Sequence, residues 1–195
     1  GAITIGTDLE SSKRAVKIAE ENDNVWACIG VHPVEFPSPD QGEGRVGFDE
    51  EEFEKLIQSP KVVGIGECGL DYFRLPKEED KIKEEKERQE VIFRKQIEFA
   101  LKYDKMLMLH CRAAYDEVLE ILEEYKKEYG DKLRGNSHFF AGNIEQAKQF
   151  VELGFSCSFT GVVTFTRDYD EVVRSLPQNM VMPETDAPFV APVPY

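Results

Sequence analysis

Three histidines occur in the whole chain, and each comes at or just after the end of a short apolar run: His32 after VWACIGV, His110 ending KMLMLH, His138 ending LRGNSH. Glu67 closes a fourth run, KVVGIGE, and Asp186 follows a fifth, MVMPET, beside Glu184. Imidazole nitrogens and carboxylate oxygens together suit a borderline divalent ion such as Zn²⁺ or Mn²⁺, and hold Mg²⁺ when carboxylate and water dominate. Taken singly, each residue has a plainer use: a hydrogen-bonded structural histidine, or an acid capping a helix. The repetition weighs against that use, because scattered structural residues have no reason to occupy the same point of successive repeats. A carboxylate ending a run built for a dry interior also needs a cation, since an unpaired buried charge is costly.

Glu67, His110, His138 and Asp186 would supply a hydrolytic metal site with a position left for water, whose pKa a metal lowers towards about 7. Arg112 stands two residues past His110 and shares its strand face, so it is placed either for a substrate phosphate or carboxylate or for a surface ion pair. By the same alternation Cys68 and Cys111 point away and pack. Asp71 caps the following turn or orients a ligand. Tyr72 and Phe73 read as core in preference to a face on which a base stacks.

Positioning these residues requires repeated strand–helix units whose strand ends share one face. Seven apolar runs mark strands at 2–6, 25–31, 61–67, 105–110, 133–138, 155–159 and 180–185, with amphipathic stretches between them. Ala114, Val118, Ile121, Leu122 and Tyr125 recur at helical spacing, as do Phe93, Ile97, Ala100 and Leu101. A further helix runs from Asn143 to Leu153 and stops at Gly154. Thr7 with Glu10, Asp49 with Glu52 and Asp168 with Glu171 fit capping boxes, and Phe48 with Phe53 fits a hydrophobic staple. Residues 34–47, rich in Pro and Gly, read as a surface loop over the active face, and the charge-dense 73–89 as a solvated loop entering a helix.

The chain has 195 residues and a formal net charge of −14, which suits one domain and excludes a broad basic field for gathering nucleic acid. Four dispersed cysteines without a C-x-x-C pair read as buried thiols of a reducing compartment, hence a cytoplasmic location. No apolar run approaches the roughly 18 residues of a membrane span. The oligomeric state is not fixed by these features.

GVHPVE (30–35), GIGECGLDY (64–72), LHCRAAYDE (109–117), SHFFAGN (137–143) and ETDAPFVAP (184–192) resemble, in order and spacing, the signatures of TatD-type metal-dependent deoxyribonucleases. The resemblance spans almost the whole chain. It implies an α/β fold, the TIM (β/α)₈ barrel of the amidohydrolase class, here as seven strand–helix units in one domain over 1–195. It also implies two divalent metals (Mg²⁺, Mn²⁺ or Zn²⁺) and hydrolysis of DNA phosphodiesters, from single-stranded or 3′ ends. On that resemblance Glu67 is the carboxylate shared by both metals, His110 and His138 ligate the second, and Asp186 ligates the first and handles the proton of the attacking water. His32 and Glu184 would serve the substrate or support the ligands.

The family's first strand ends in an H-x-H pair that binds the first metal, and nothing like it precedes Gly1; further helices would follow Tyr195. The expectation is a barrel incomplete at both ends, with one metal held weakly. Two alternatives accompany the nuclease reading: a metal-dependent hydrolase of a small ester, lactone or amide, and a catalytically silent truncated relative.

Overall fold

The computed structural model describes residues 1–34 and 47–194. The loop expected at 34–47 therefore falls, from 35 to 46, outside the described residues. The chain divides into two compact units, Gly1–Ala113 and Ala114–Tyr195.

In the first unit, β1 (Ala2–Ile5), β2 (Val25–Ile29), β3 (Val62–Asp71) and β4 (Met106–Arg112) pair in parallel, each with the next. Such strands are covered on both faces and read as continuous apolar runs; Ala27, Cys28, Ile29, Val62, Ile65, Leu107 and Leu109 are all buried. Helices α1 (Leu9–Glu20), α2 (Glu50–Leu56) and α3 (Glu79–Lys102) connect them. Phe48 and Phe53 stack with centroids 4.5 Å apart at the start of α2, the staple expected there, and Asp49 accepts from the Glu52 N–H.

The cap of α1 differs from the sequence expectation. Asp8, not Thr7, is the N-cap, and it exchanges hydrogen bonds with Ser11. A short serine one turn in satisfies the same orphan N–H groups that Glu10 was expected to reach.

β3 also runs past its expected end at Glu67, because β4 continues alongside it to Arg112 and supplies ladder partners as far as Asp71. Between Ile65 and Cys68 the register slips: two residues of β3, Gly66 and Glu67, stand against one of β4, Met108, which makes a bulge.

The second unit contains α4 (Tyr115–Tyr129), β5 (Gly135–Ser137), α5 (Ile144–Glu152), β6 (Phe155–Phe159), α6 (Asp170–Ser175) and β7 (Val181–Pro183). Its three strands are parallel, paired in sequence order. Val118, Leu119, Ile121 and Leu122 of α4 are buried, with Phe140, Phe150 and Phe155. Asn143 and Gln146 form a capping box on α5. The cap expected from Asp168 and Glu171 is absent: α6 begins after Tyr169 with no side-chain cap, and the Asp168 N–H turns to the Thr166 hydroxyl. β5 and β7 are each three residues long, shorter than the apolar runs that announced them. Among the described residues no helix is long and apolar enough to cross a membrane.

Candidate metal centre

His32, Glu67 and His110 converge in the first unit, each offering a donor atom, and these atoms lie within 4.8 Å of one another. Three separate backbone devices bring them there. The His32 N–H donates to the Thr7 carbonyl at 2.8 Å and the Glu67 N–H to the Gly6 carbonyl at 2.9 Å, so the end of β1 fixes both residues. The bulge in β3 turns Glu67 off the strand's alternation. His110 sits within β4, opposite Gly69.

Two glycines let β3 pass this close. A Cβ on Gly66 would stand 2.4 Å from the Met108 carbonyl oxygen, and one on Gly69 only 2.0 Å from that of His110; both have positive φ, at 154° and 139°. GIGECGLDY therefore carries its glycines where the backbone of β4 leaves no room for a side chain.

His110 is held at both ring nitrogens. Nδ1 lies 2.8 Å from Glu67 Oε1, and Nε2 3.0 Å from Asp71 Oδ2. Burial disfavours charge on this imidazole, but the bonds to Asp71 and Glu67 outweigh it and raise the pKa to about 9. The Asp71 carboxyl, pushed up by burial, is brought below its ordinary value by the His110 bond and by the Phe73 N–H, which donates to Oδ1 at 2.9 Å. Asp71 thus does both things its position allowed, capping the turn and orienting a histidine.

His32 behaves oppositely. Burial, then the neighbouring His110, lowers its pKa against the pull of Glu67 and Asp71. The Val34 N–H donates to His32 Nδ1 at 3.1 Å, so the proton of the neutral ring belongs on Nε2, 3.6 Å from Glu67 Oε1. The rings of His32 and His110 meet edge to face at 4.2 Å.

In the second unit, His138 follows β5 and its Nδ1 lies 2.5 Å from Glu184 Oε2, while Nε2 is 3.9 Å from Asp186 Oδ1. Glu184 Oε1 accepts from the Phe139 N–H at 2.6 Å. The pattern repeats that of Asp71: one carboxylate holds a histidine by a ring nitrogen and a nearby backbone N–H by its other oxygen.

Of the residues singled out in the sequence, the first unit thus holds Glu67, His110, His32 and Arg112, and the second His138, Glu184 and Asp186. His32, read as a substrate residue, lies beside Glu67 and His110. Arg112 ends β4 exposed, with its guanidinium carbon 3.8 Å from the Phe73 ring centroid. Phe73 is not core: it lies two residues past the end of β3 and is 60% exposed. Three buried positioning residues escaped the sequence reading. Ser12 Oγ accepts from the Gly30 N–H at 3.2 Å, Gln96 grips the Val31 N–H and carbonyl at 2.8 and 3.0 Å, and Gln89 grips those of Asp71 at 2.8 and 3.1 Å. A signal existed: Gln89, Phe93, Gln96 and Ala100 occupy i, i+4, i+7 and i+11, so two amides sit on the apolar stripe of α3.

The His110 nitrogen and the Glu67 carboxylate, with Asp71 holding the His110 tautomer, fit a divalent ion; His32 beside them offers Nε2 only in the tautomer that gives up the Val34 N–H bond. Comparison with known proteins agrees. Residues 1–195 match the family described as TatD related DNase. The uncharacterized metal-dependent hydrolase YabD of Bacillus subtilis is 34% identical over 195 residues, covering 99% of this chain and 70% of YabD. The 3′-5′ ssDNA/RNA exonuclease TatD of Escherichia coli K12 is 32% identical over 199 residues, 98% of this chain and 69% of that protein. The crystal structure of YjjV, a TatD homologue from E. coli K12, superposes with a TM-score of 0.81 at 27% identity, over 99% of this chain and 70% of YjjV. The seven parallel strands alternating with helices are therefore of the TIM-barrel class anticipated from the sequence. With the family matched from first residue to last and a metal-dependent hydrolase 34% identical along almost the whole chain, this chain belongs to the TatD family of metal-dependent hydrolases.

Proposed function

We propose that this chain is a metal-dependent phosphodiesterase that removes nucleotides from the 3′ end of single-stranded DNA. The observation that carries the reading is the convergence of His32, Glu67 and His110 within 4.8 Å. The substrate class is supported by the relative at 32% identity whose name is 3′-5′ ssDNA/RNA exonuclease.

A divalent ion held here supplies polarisation of the phosphoryl oxygens and a water acidified towards neutrality. Glu67 and His110 would hold it with His32 beside them, and His138 and Asp186 are proposed as ligands on the strength of their motifs alone. Asp71 keeps a proton on His110 Nε2, which leaves Nδ1, the nitrogen facing Glu67, as the donor. Glu184 does the same for His138 through Nδ1, leaving Nε2 as its donor. Asp186 takes the proton of the attacking water, and Arg112 meets the phosphate next to the broken bond. The four cysteines, buried and none of them in a disulfide, support a reducing, cytoplasmic setting.

The test is nucleotide release from 5′-labelled single-stranded DNA with Mg²⁺ or Mn²⁺. Stepwise shortening from the 3′ end is expected, suppressed by EDTA and reduced at least about a hundredfold in Glu67→Ala. Unimpaired cleavage by Glu67→Ala would overturn the reading. The net charge of −14 favours a second reading, a small ester or lactone as substrate; metal-dependent hydrolysis of p-nitrophenyl acetate without any shortening of DNA is the outcome that would select it.

A further inference from the structure

Phe73 stands 60% exposed just beyond β3, an aromatic ring left largely wet. It is nevertheless held firmly. Its N–H donates to Asp71 Oδ1 at 2.9 Å, the preceding Tyr72 N–H donates to the Arg112 carbonyl at 2.8 Å, and the Arg112 guanidinium carbon lies 3.8 Å from the ring centroid. The Lys86 ammonium lies over the Tyr72 ring at 4.1 Å. Two cations and two rings thus adjoin in a chain whose net charge is −14.

The same Asp71 carboxylate that fixes the Phe73 backbone also holds His110 Nε2 at 3.0 Å. One buried acid therefore ties the exposed ring to a candidate metal ligand. With the guanidinium over one face of Phe73, the exposure of the ring leaves its other face open to a flat partner.

We propose that Phe73, backed by Arg112, is a stacking subsite for the base of the nucleotide adjoining the scissile phosphate. The proposal takes its substrate class from the exonuclease reading above. Every base presents a π-face, so stacking accepts any sequence, which is what an enzyme shortening a strand residue by residue requires. A purine, with more ring area, should gain more than a pyrimidine.

Calorimetric titration of the full chain in Mg²⁺ with dAMP and with 2-deoxyribose 5-phosphate separates the base from its anion. The wild type is expected to bind dAMP about tenfold more tightly than the sugar phosphate. Phe73→Ala should bring that ratio to about one, and Phe73→Trp should keep it. Equal affinities in the wild type, an unchanged ratio in Phe73→Ala, or no measurable dAMP binding would each overturn the subsite. Base-dependent binding without shortening of DNA would instead sink the nuclease reading, and with it the scissile phosphate, while leaving Phe73 as a stacking site for a nucleotide base.

Discussion

Gln96 gives its whole amide to one residue, accepting from the Val31 N–H through Oε1 and donating to the Val31 carbonyl through Nε2. Beyond the end of β2 these groups have no ladder partner, and both lie in the interior, where an unsatisfied backbone group is costly. Gln89 solves the same problem at Asp71, and Ser12 at Gly30. Each grip falls on the carboxylate support itself or within two residues of His32, so they serve stability and aim together. Gln96→Leu, close in volume but unable to hydrogen-bond, is expected to cost about 2 kcal/mol in urea denaturation. It should also weaken Mn²⁺ binding, because His32 is the next residue along; a fully stable variant with unaltered metal affinity would show the grip to be idle. A glutamine on an apolar helical stripe was legible in the sequence as an oddity. Its partner was not, because it is main chain 65 residues away.

At the scale of elements, the pair β3 and β4 carries the chemistry. Alternation along β3 predicts where Glu67 should point only if the strand is regular, and the bulge at Gly66 and Glu67 breaks that rule. β4 keeps the rule: Cys111 is buried while Arg112 is exposed. The closeness of the two strands is set by Gly69, where any side chain would collide with the His110 carbonyl oxygen 2.0 Å away. Gly69→Ala is therefore expected to lose about 3 kcal/mol of stability, from backbone strain at positive φ and from the displacement of β4. Removing the Asp8 cap of α1 should cost only about 1 kcal/mol. Thermal melts of the two variants compare these costs directly, and equal losses would argue against close packing as the reason for the glycine.

For the whole molecule, charge is the property that bears most on the proposed substrate. With 38 acidic against 24 basic residues, long-range attraction to a polyanion is absent, and contact with the proposed DNA substrate would rest on local groups such as Arg112 and Lys86. A protein making six or more phosphate contacts loses about a thousandfold or more in affinity between roughly 50 and 200 mM salt. This chain is expected to change by less than about tenfold over that range, since added salt also screens its own repulsion. Fluorescence anisotropy with labelled single-stranded DNA measures the slope, and a steep decline would contradict the local-contact picture. Much of the fold was readable from sequence because it is written in local terms. Apolar runs of strand length, helical spacing in α4 and α5, and chemical residue types at the ends of runs need no knowledge of distant partners. Residue chemistry and order, with the five motifs that resemble a known family, thus carried the fold class and the family, and nominated the imidazole and carboxylate groups. Only the tertiary structure decided that β3 continues to Asp71, that His32 stands beside Glu67 and His110, that Asp71 and Glu184 each steady a histidine, and that Phe73 lies in solvent. These outcomes depend on strand register, on approach distances of a few ångströms, and on hydrogen bonds between residues remote along the chain, and no local pattern encodes them.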